Sequence, residues 1–450
     1  MPEMPAVTRP KIIVLDDDPT GSQTVHSCLL LTRWDVDTLC RGLADSVPIF
    51  FILTNTRALP AEMAAEVTRR VCRHLKEAIA QTGTTDYMIV SRSDSTLRGH
   101  YPLETDIIAA ELGPFDAHFL VPAFLEGGRI TRDSQHYLMV EGQPVPVHET
   151  EFARDSVFGY RHSYLPDYVA EKTQGRIPAG AVERFLLADL RHPAALLDRL
   201  ARLQGNVCAV VDAETQGDLD QFAAAVLQVA SQGKRFLFRS AASLLTALAQ
   251  LPPQPTPPAA MATYCRPGRY GAVLVGSHVR KTTEQLTALL KEPDVFSIEV
   301  PVARLRDSAV AEAEMIAEVL AAVDRAIAQG KTPVIYTSRQ ELTFADAPTR
   351  LAFGQRVSEV LMAILQQLPA DLRYLISKGG ITSNDVLSKG LNLATVRLLG
   401  QVIPGCSVVR TAADHPRFPE LPVVLFPGNV GDREALRTVY HRFQGSGTAI

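Results

Sequence analysis

The sequence predicts an α/β protein of two domains with mainly parallel sheets and an active site in the cleft between them. Two observations predict this class. Short apolar strands alternate with amphipathic helices along most of the chain, as parallel sheets with helical crossovers require. One proline-rich segment interrupts the alternation, and at 450 residues the chain is long enough for at least two domains.

The proline-rich segment at 251–258 holds five prolines in eight residues, which favours a stiff extended connector over a helix or a central strand. The predicted domains are therefore 1–250 and 271–450, with a linker over 251–270.

In the first domain, runs of apolar and β-branched residues predict the strands, and helical spacing of apolar residues predicts the helices. The predicted strands are 12–15, 48–54, 87–90, 118–121, 207–212 and 235–239, and the predicted helices are 36–44, 61–81, 103–112, 219–230 and 241–249. The segment 129–158 breaks this rhythm with Gly and Pro, which predicts hairpins or an excursion over the site.

The same patterns continue in the second domain. The predicted strands are 272–275, 296–300, 334–337, 374–376, 408–410 and 423–426, and the predicted helices are 309–329, 349–367 and 433–443.

Composition excludes several classes of function. Lys and Arg number 45 against 49 Asp and Glu, a net charge of −4 that gives no support to a nucleic-acid partner. The six cysteines form no CxxC pair, which predicts reduced thiols and a cytoplasmic protein. With no apolar leader and no apolar run of the ~20 residues that cross a bilayer, we expect no membrane partner. A homo-oligomer stays open.

The first strand ends at Asp16, Asp17 and Asp18, and Pro19 and Gly21 then force a turn. Three neighbouring carboxylates repel one another unless a cation or a ligand hydroxyl uses them. The carboxyl ends of strands are also where open α/β sheets bind ligands. This loop is therefore a candidate site, although a solvated acidic turn would have the same sequence.

A second polar loop follows the strand at 87–90 and carries Arg92, Asp94, Ser95 and Arg98. If the two strands are neighbours, these side chains lie beside the aspartates. Guanidinium groups suit a carboxylate and acids suit hydroxyls, so the pair of loops predicts a small polyhydroxylated carboxylic acid. An ion-pair network without a ligand is the alternative.

In the second domain, three strands run into glycine-containing polar loops, at 276–278, 377–385 and 427–432. Glycines let backbone N–H groups approach an anion, and hydroxyls at Ser277, Thr382 and Ser383 can add hydrogen bonds. Neither GxxxxGK[ST] nor GxGxxG occurs. Together the loops predict a nucleotide site.

A hydroxy acid in one domain and a nucleotide in the other predict phosphoryl transfer with Mg²⁺ and a carboxylate near the attacking hydroxyl. The candidate catalytic acids are Asp17, Asp18 and Asp94.

Five motifs in order resemble those of the four-carbon acid sugar kinases. They are Asp17-Asp18-Pro19-Thr20-Gly21, Asp94-Ser-Thr-Leu-Arg-Gly99, Gly276-Ser277, Gly379-Gly-Ile-Thr-Ser383 and Pro427-Gly-Asn-Val-Gly-Asp432. The resemblance implies ATP-dependent phosphorylation of a threonate, an erythronate or an oxo-tetronate at the terminal hydroxyl. It implies ATP contacts at Ser277, Gly379, Gly380, Ile381, Thr382, Ser383, Gly428 and Asn429.

Two positions depart from the family pattern, since Pro19 replaces an aromatic residue and Arg92 stands where lysine is expected. They leave the particular acid open.

Two other functions compete with the kinase. Asp16-x-Asp18-x-Thr20 after an apolar strand, with Thr54 after the next, fits a haloacid-dehalogenase-like phosphatase. A non-enzymatic sensor of sugar acids and nucleotides is the other class. The sequence also leaves open whether Lys378 contacts phosphate or is solvated, and whether Asp212 faces the cleft or caps the next helix.

Overall fold

The computed structural model describes residues 9–19, 21–306, 310–339, 342–344, 346–428 and 430–445. The chain divides into two compact units, the first ending at Pro252 and the second beginning at Pro253. Both are α/β, which confirms the predicted fold class.

The first unit holds all the elements predicted for it and several that the patterns did not predict. Its strands are β1 Lys11–Asp16, β2 Leu29–Leu31, β3 Ile49–Leu53, β4 Tyr87–Arg92, β5 Ala117–Val121, β6 Arg129–Arg132, β7 Gln135–Val140, β8 Gln143–Pro146, β9 Glu183–Phe185, β10 Val207–Val211 and β11 Phe236–Ser240. Its helices are α1 Val36–Ala44, α2 Ala61–Thr82, α3 Leu103–Leu112, α4 Leu165–Lys172, α5 Leu187–Leu190, α6 Pro193–Arg202, α7 Gln216–Ala230 and α8 Ala242–Ala249.

The second unit repeats the alternation. Its strands are β12 Tyr270–Val275, β13 Val295–Val300, β14 Thr332–Thr337, β15 Leu372–Lys378, β16 Thr395–Ile403, β17 Cys406–Arg410 and β18 Pro422–Phe426. Its helices are α9 Arg280–Leu289, α10 Val310–Ala328, α11 Ala347–Gln367, α12 Gly380–Asp385 and α13 Ala435–Gln444.

The main sheet of the first unit is parallel, in the order β2-β3-β1-β4-β11-β5-β10-β9. β1 and β4 are neighbours, as the site prediction required, and their register sets Asp16 opposite Arg92. On the other side of β4, β11 sets Ser240 opposite Arg92. The carboxyl ends of β1, β4 and β11 therefore form one edge, to which each contributes polar side chains.

In the second unit, β13-β14-β12-β15-β18 run parallel, and β17 and β16 continue the sheet antiparallel. β12, β15 and β18 are successive neighbours, so the three glycine-containing loops leave the same edge of the sheet.

The segment after β5 forms an antiparallel sheet, β6-β7-β8, which confirms the predicted hairpins. Asp212 accepts hydrogen bonds at 2.8 Å from the backbone N–H groups of Asp133 and Ser134, at the turn between β6 and β7. Asp212 therefore anchors this turn, whereas Thr215 and Asp218 cap the following helix. The suggestion that Asp212 caps that helix was wrong, because the hairpin turn takes its carboxylate.

Part of the predicted linker is ordered against the second unit. Residues Pro258–Tyr264 form a 3₁₀ helix, and Met261 within it is buried in that unit's core.

Within the described ranges, no helix combines the length and the apolar character that crossing a membrane requires.

Candidate functional site

The aspartates at the end of β1 differ in their access to solvent. Asp16 is 0% exposed and Asp17 is 2% exposed, whereas the side chain of Asp18 is 24% exposed. The apolar strand carries the first two carboxylates inward, and the turn after it leaves the third at the surface. Asp18 is therefore the aspartate of this loop that a ligand reaches most easily.

Arg57 holds these carboxylates together. It lies in the 3₁₀ turn Thr56–Ala58 after β3, and its guanidinium pairs with Asp17, with Nε 3.1 Å from Oδ2. Its Nη1 lies 3.4 Å from Asp18 Oδ2 and 3.9 Å from Asp94 Oδ1. Burial would lower the pKa of Arg57, but the three carboxylates outweigh it and raise that pKa. Sequence reasoning missed Arg57, because no motif surrounds it.

Arg92 is buried beneath the acidic loop. Its Nη1 lies 3.4 Å from Asp16 Oδ1 and 3.6 Å from Asp17 Oδ1. Burial nevertheless raises the pKa of Asp16 to about 7, since the attraction of Arg92 only partly offsets desolvation. Arg92 therefore pairs with two aspartates of its own chain, as expected from the alternative in which these residues form an ion-pair network.

Asp94 and Arg98 form a second ion pair, with Arg98 Nε 2.7 Å from Asp94 Oδ2. Burial would raise the pKa of Asp94, but Arg57 and Arg98 outweigh it and hold that pKa well below its ordinary value. Arg98 also lies 3.6 Å from Asp155 and stacks over the ring of Phe152 at 5.0 Å. Asp94 is thus an anion fixed beside a partly exposed guanidinium.

Arg239, at the end of β11, is a further cation that the motifs did not reveal. Its Nη1 donates to Glu104 Oε2 at 2.5 Å and to Ser91 Oγ at 2.7 Å. Its Nη2 is buried without a partner among the described residues. Gly99 has a φ of +120°, which favours glycine, and a Cβ on it would lie 2.7 Å from that nitrogen. Nη2 of Arg239 can therefore donate to an acceptor directly under the second loop.

A small pocket lies at this edge. Its polar side is formed by Asp94, Arg98 and Arg239. The other residues that line it are Ser93, Leu97, Tyr101, Leu120, Pro122 and Tyr168. A pocket with two cations, one anion and apolar walls suits a small acid that carries hydroxyls.

The segment after β5, which includes the β6-β7-β8 hairpins, binds the backbone of the loop that follows β4. His136 donates from Nε2 to the carbonyl of Ser95 at 2.8 Å, and Tyr160 donates to the carbonyl of Thr96 at 2.7 Å. Burial lowers the pKa of His136 to about 4, which keeps its ring neutral. The segment therefore fixes the loop that carries Asp94, Ser95 and Arg98.

The geometry does not favour the phosphatase alternative. A nucleophilic Asp16 would have to reach a phosphate, yet its side chain is fully buried. Thr54 uses its hydroxyl to bind the backbone carbonyl of Asp16 at 2.9 Å. Thr20 lies outside the described residues.

In the second unit, backbone hydrogen bonds join the three loops. The N–H of Gly276 donates to the carbonyl of Lys378 at 3.2 Å, and that of Gly379 donates to the carbonyl of Phe426 at 2.8 Å. Gly379 has a φ of +123°, and a Cβ on it would lie 3.0 Å from Ser277 Cβ. Such close approach of three backbones requires glycine.

Ser277 and Gly428 are brought together by Thr282 of α9. Its hydroxyl donates to the carbonyl of Gly428 at 2.9 Å and lies 3.1 Å from Ser277 Oγ. A Cβ on Gly428 would lie 3.0 Å from Ser277 Oγ. Two of the predicted nucleotide contacts are therefore adjacent.

The loop after β15 presents its residues in different directions. Ser383 is buried and its hydroxyl lies 3.2 Å from that of Ser377, under the loop. Thr382 is nearly buried, whereas the side chain of Ile381 is 70% exposed. Gly380 begins α12, and Asn429 lies outside the described residues.

Fold and sites together define a two-domain α/β protein with a polar pocket in its first unit and converging glycine loops in its second. The profile of a sugar-binding N-terminal domain matches residues 12–248, and that of a nucleotide-binding C-terminal domain matches residues 272–436. The chain belongs to the four-carbon acid sugar kinase family.

Two characterised proteins are similar to part of the chain. It is 30% identical over 223 residues to the D-erythronate kinase of Heliobacterium modesticaldum, a match that covers 47% of each chain. It is 29% identical over 225 residues to the D-threonate kinase of Bordetella bronchiseptica, covering 48% of this chain and 50% of that one. The matched part of the chain spans about half the length of these relatives.

Two solved structures share the fold over nearly the whole chain. A Haemophilus influenzae protein is 18% identical with a TM-score of 0.63, and the match covers 96% of this chain and 100% of that one. A Salmonella typhimurium LT2 protein is 21% identical with a TM-score of 0.66, covering 96% and 99%.

Proposed function

We propose that this protein is an ATP-dependent kinase that phosphorylates a four-carbon sugar acid at its terminal hydroxyl, with a threonate, an erythronate or an oxo-tetronate as substrate. The observation that carries the proposal is the pocket of the first unit, which Asp94, Arg98 and Arg239 all line. The two relatives are named for kinases of acids in this class.

On the substrate side, the carboxylate of the acid binds the guanidinium groups of Arg98 and Arg239, and Asp94 accepts hydrogen bonds from hydroxyls. Two features support this assignment. The buried Nη2 of Arg239 has no hydrogen-bond partner among the residues that the structure describes, and Asp94 stays ionised because Arg57 and Arg98 outweigh its desolvation. Arg92 acts indirectly, since its ion-pair partners are Asp16 and Asp17.

Asp18 accepts the proton of the attacking hydroxyl. The hydroxyl oxygen forms a bond to the γ-phosphorus while the bond to ADP breaks, and ADP leaves with the electron pair. Both aspartates contact Arg57, but Asp18 is favoured over Asp17 because its side chain is 24% exposed, whereas Asp17 is 2% exposed. Asp17 then serves to hold Arg57 in place.

On the nucleotide side, ATP binds the converging loops through backbone N–H groups and the hydroxyl of Ser277. Ser383 supports the loop from beneath. Among the residues described, no group of three acidic, histidine or cysteine side chains is arranged to hold a metal. Mg²⁺ would enter with the nucleotide, held by its phosphate oxygens, and would neutralise charge on the transferred group.

The test is to identify the product and then to remove the base. Phosphorus–carbon coupling in the NMR spectrum of the product is expected at the terminal carbon. Asp18→Asn should lower kcat by ~100-fold or more, as expected for loss of a general base. Asp37→Asn, at an exposed site in the same unit, is the matched control. A product phosphorylated elsewhere, or full activity of Asp18→Asn, would overturn this mechanism.

A further inference from the structure

Lys378 is a fully buried lysine at the point where the three loops of the second unit meet. It ends β15, directly before Gly379, and its relative exposure is 0%. Its ammonium lies 3.8 Å from the centre of the Phe426 ring. Burial lowers the pKa of this ammonium to about 7. The sequence had left solvation of Lys378 open, and its burial excludes that.

No carboxylate pairs with Lys378 in the part of the chain that the structure describes. A buried charge is costly unless it is paired and hydrogen-bonded. The ammonium instead donates to two backbone carbonyls, at 2.5 Å from Pro427 and 3.4 Å from Gly428. These hydrogen bonds use two of its three N–H groups but bring no negative charge.

These hydrogen bonds fix the direction of a peptide group. In a trans peptide the C=O and the following N–H point to opposite sides. Because the carbonyl of Pro427 faces Lys378, the N–H of Gly428 faces away from it. That N–H has no acceptor among the residues described. Thr282 holds the next carbonyl, at Gly428, from α9, so both peptide groups of the turn are restrained.

We propose that Lys378 is a positioning residue of the nucleotide site, which holds the Pro427 carbonyl inward so that the Gly428 N–H is presented to a phosphate oxygen. The phosphates supply the negative charge that the protein does not place beside the ammonium. This inference rests on the proposed function, because it takes the ligand of these loops to be a nucleotide.

Replacing Lys378 separates this role from simple packing. Lys378→Met keeps the length and apolar contacts of the side chain but removes the charge and the donor. We expect ADP affinity to fall by ~10-fold or more, as for loss of a charge-assisted hydrogen bond. The unfolding midpoint should stay the same or rise, because an unpaired buried charge is removed.

Calorimetric titration with ADP, with adenosine as the phosphate-free probe, gives the readout. Lys331→Met is the matched control. Lys331 precedes β14, so it lies at the amino ends of the parallel strands, at the side of the sheet away from the three loops. Lys378→Gln keeps a donor for the carbonyl and lacks the charge, so its ADP affinity should lie between those of the parent and Lys378→Met. It also carries the test if Lys378→Met does not fold.

Each outcome decides the proposal. A loss of ADP affinity in Lys378→Met, with adenosine binding and the unfolding midpoint retained, supports it. Unchanged ADP affinity, or an equal loss for ADP and adenosine, overturns it while leaving the nucleotide site in place. Absence of ADP binding by the parent protein would overturn the proposed function together with this inference.

Discussion

At the carboxyl end of β1, Asp16, Asp17 and Asp18 lie among guanidinium groups that come from distant parts of the chain. Arg57 contacts Asp17 and Asp18, and Arg92 contacts Asp16 and Asp17. The repulsion among the carboxylates is thus offset within the protein, which leaves Asp18 as the partly exposed member.

Replacing Asp16 tests the electrostatics of this cluster. The folded-state pKa of Asp16 is about 7, well above the ~3.9 of an unfolded aspartate. The folded protein therefore binds a proton that the unfolded chain has lost, and Asp16 reduces stability as pH rises from about 4 to 7. In Asp16→Asn, thermal unfolding at pH 5 and pH 8 should show a smaller decrease in midpoint than in the parent.

Asp16→Asn also discriminates between the phosphatase and the kinase, because a phosphatase would lose its nucleophile whereas the kinase keeps Asp18. An unchanged pH dependence of the unfolding midpoint would contradict the electrostatic account. If the folded Asp16→Asn variant lost the ATP turnover that requires the sugar acid, the buried, non-catalytic role of Asp16 would be contradicted.

Replacing Arg98 tests the substrate pocket. Arg98→Ala should raise KM for the sugar acid by about tenfold or more, because a guanidinium–carboxylate contact is lost. KM for ATP should change by less than about twofold, since Arg98 lies only among residues of the first unit. Steady-state kinetics measures both. Arg161→Ala, at an exposed surface ion pair, is the control. An equal rise in both KM values would argue against separate binding sites.

Among individual site residues, the sequence predicted those that lie close together in one motif. Asp94 and Arg98 follow one strand within a few positions and do line one pocket. Arg57 and Arg239 join them only through the pairing of β3, β1, β4 and β11, and no local pattern surrounds either arginine. Arg92 contacts Asp16 and Asp17 instead of lining the pocket, and that placement depends on the pairing of β1 with β4.

Among the elements, the neighbouring strands β12, β15 and β18 bring three loops together. Each loop approaches the others closely enough that glycine is needed at Gly276 and Gly379. Local sequence predicted each loop, and the parallel order of the sheet makes them adjacent.

Replacing Gly428 tests whether these loops bind the nucleotide. A Cβ there would lie 3.0 Å from Ser277 Oγ, and the methyl groups of valine would occupy the space beside the backbone. Gly428→Val should weaken ADP binding by ~10-fold or more, through loss of a charge-assisted N–H contact, and leave sugar-acid binding unchanged. Isothermal titration with each ligand is the measurement.

Gly354→Val is the control for Gly428→Val, since a Cβ at Gly354 on α11 meets no atom within 4 Å. Retained ADP affinity in Gly428→Val would show that the nucleotide does not use this loop.

Element prediction found most helices and strands, but it missed others of similar length, such as α6 and α9. Val36–Ala44 and Leu103–Leu112 have the predicted bounds. β2 spans three residues, too few for a pattern, and pairing with β3 stabilises it. In β16, the register shift around Gly400 breaks the alternation that marks a strand.

For the whole molecule, the division into units at Pro252 and Pro253 accompanies a division between two family profiles. The assignment of 1–250 to the sugar acid and 271–450 to ATP is part of the proposal, as is transfer between ligands bound in different units. That the ligands meet in a cleft stays a prediction. Hydrophobic patterning was sufficient to predict two α/β units, because it is local and repeated.

The most direct test of the central claim measures ADP release from Mg-ATP in the presence of single acids. The panel is D- and L-threonate, D- and L-erythronate and their 2-oxo and 3-oxo derivatives, with ATP alone as the control. The kinase account predicts strong turnover with one acid and background release with ATP alone. ATP binding without turnover of any acid in the panel would contradict the assignment to four-carbon acids, and absence of ATP binding would contradict the kinase itself.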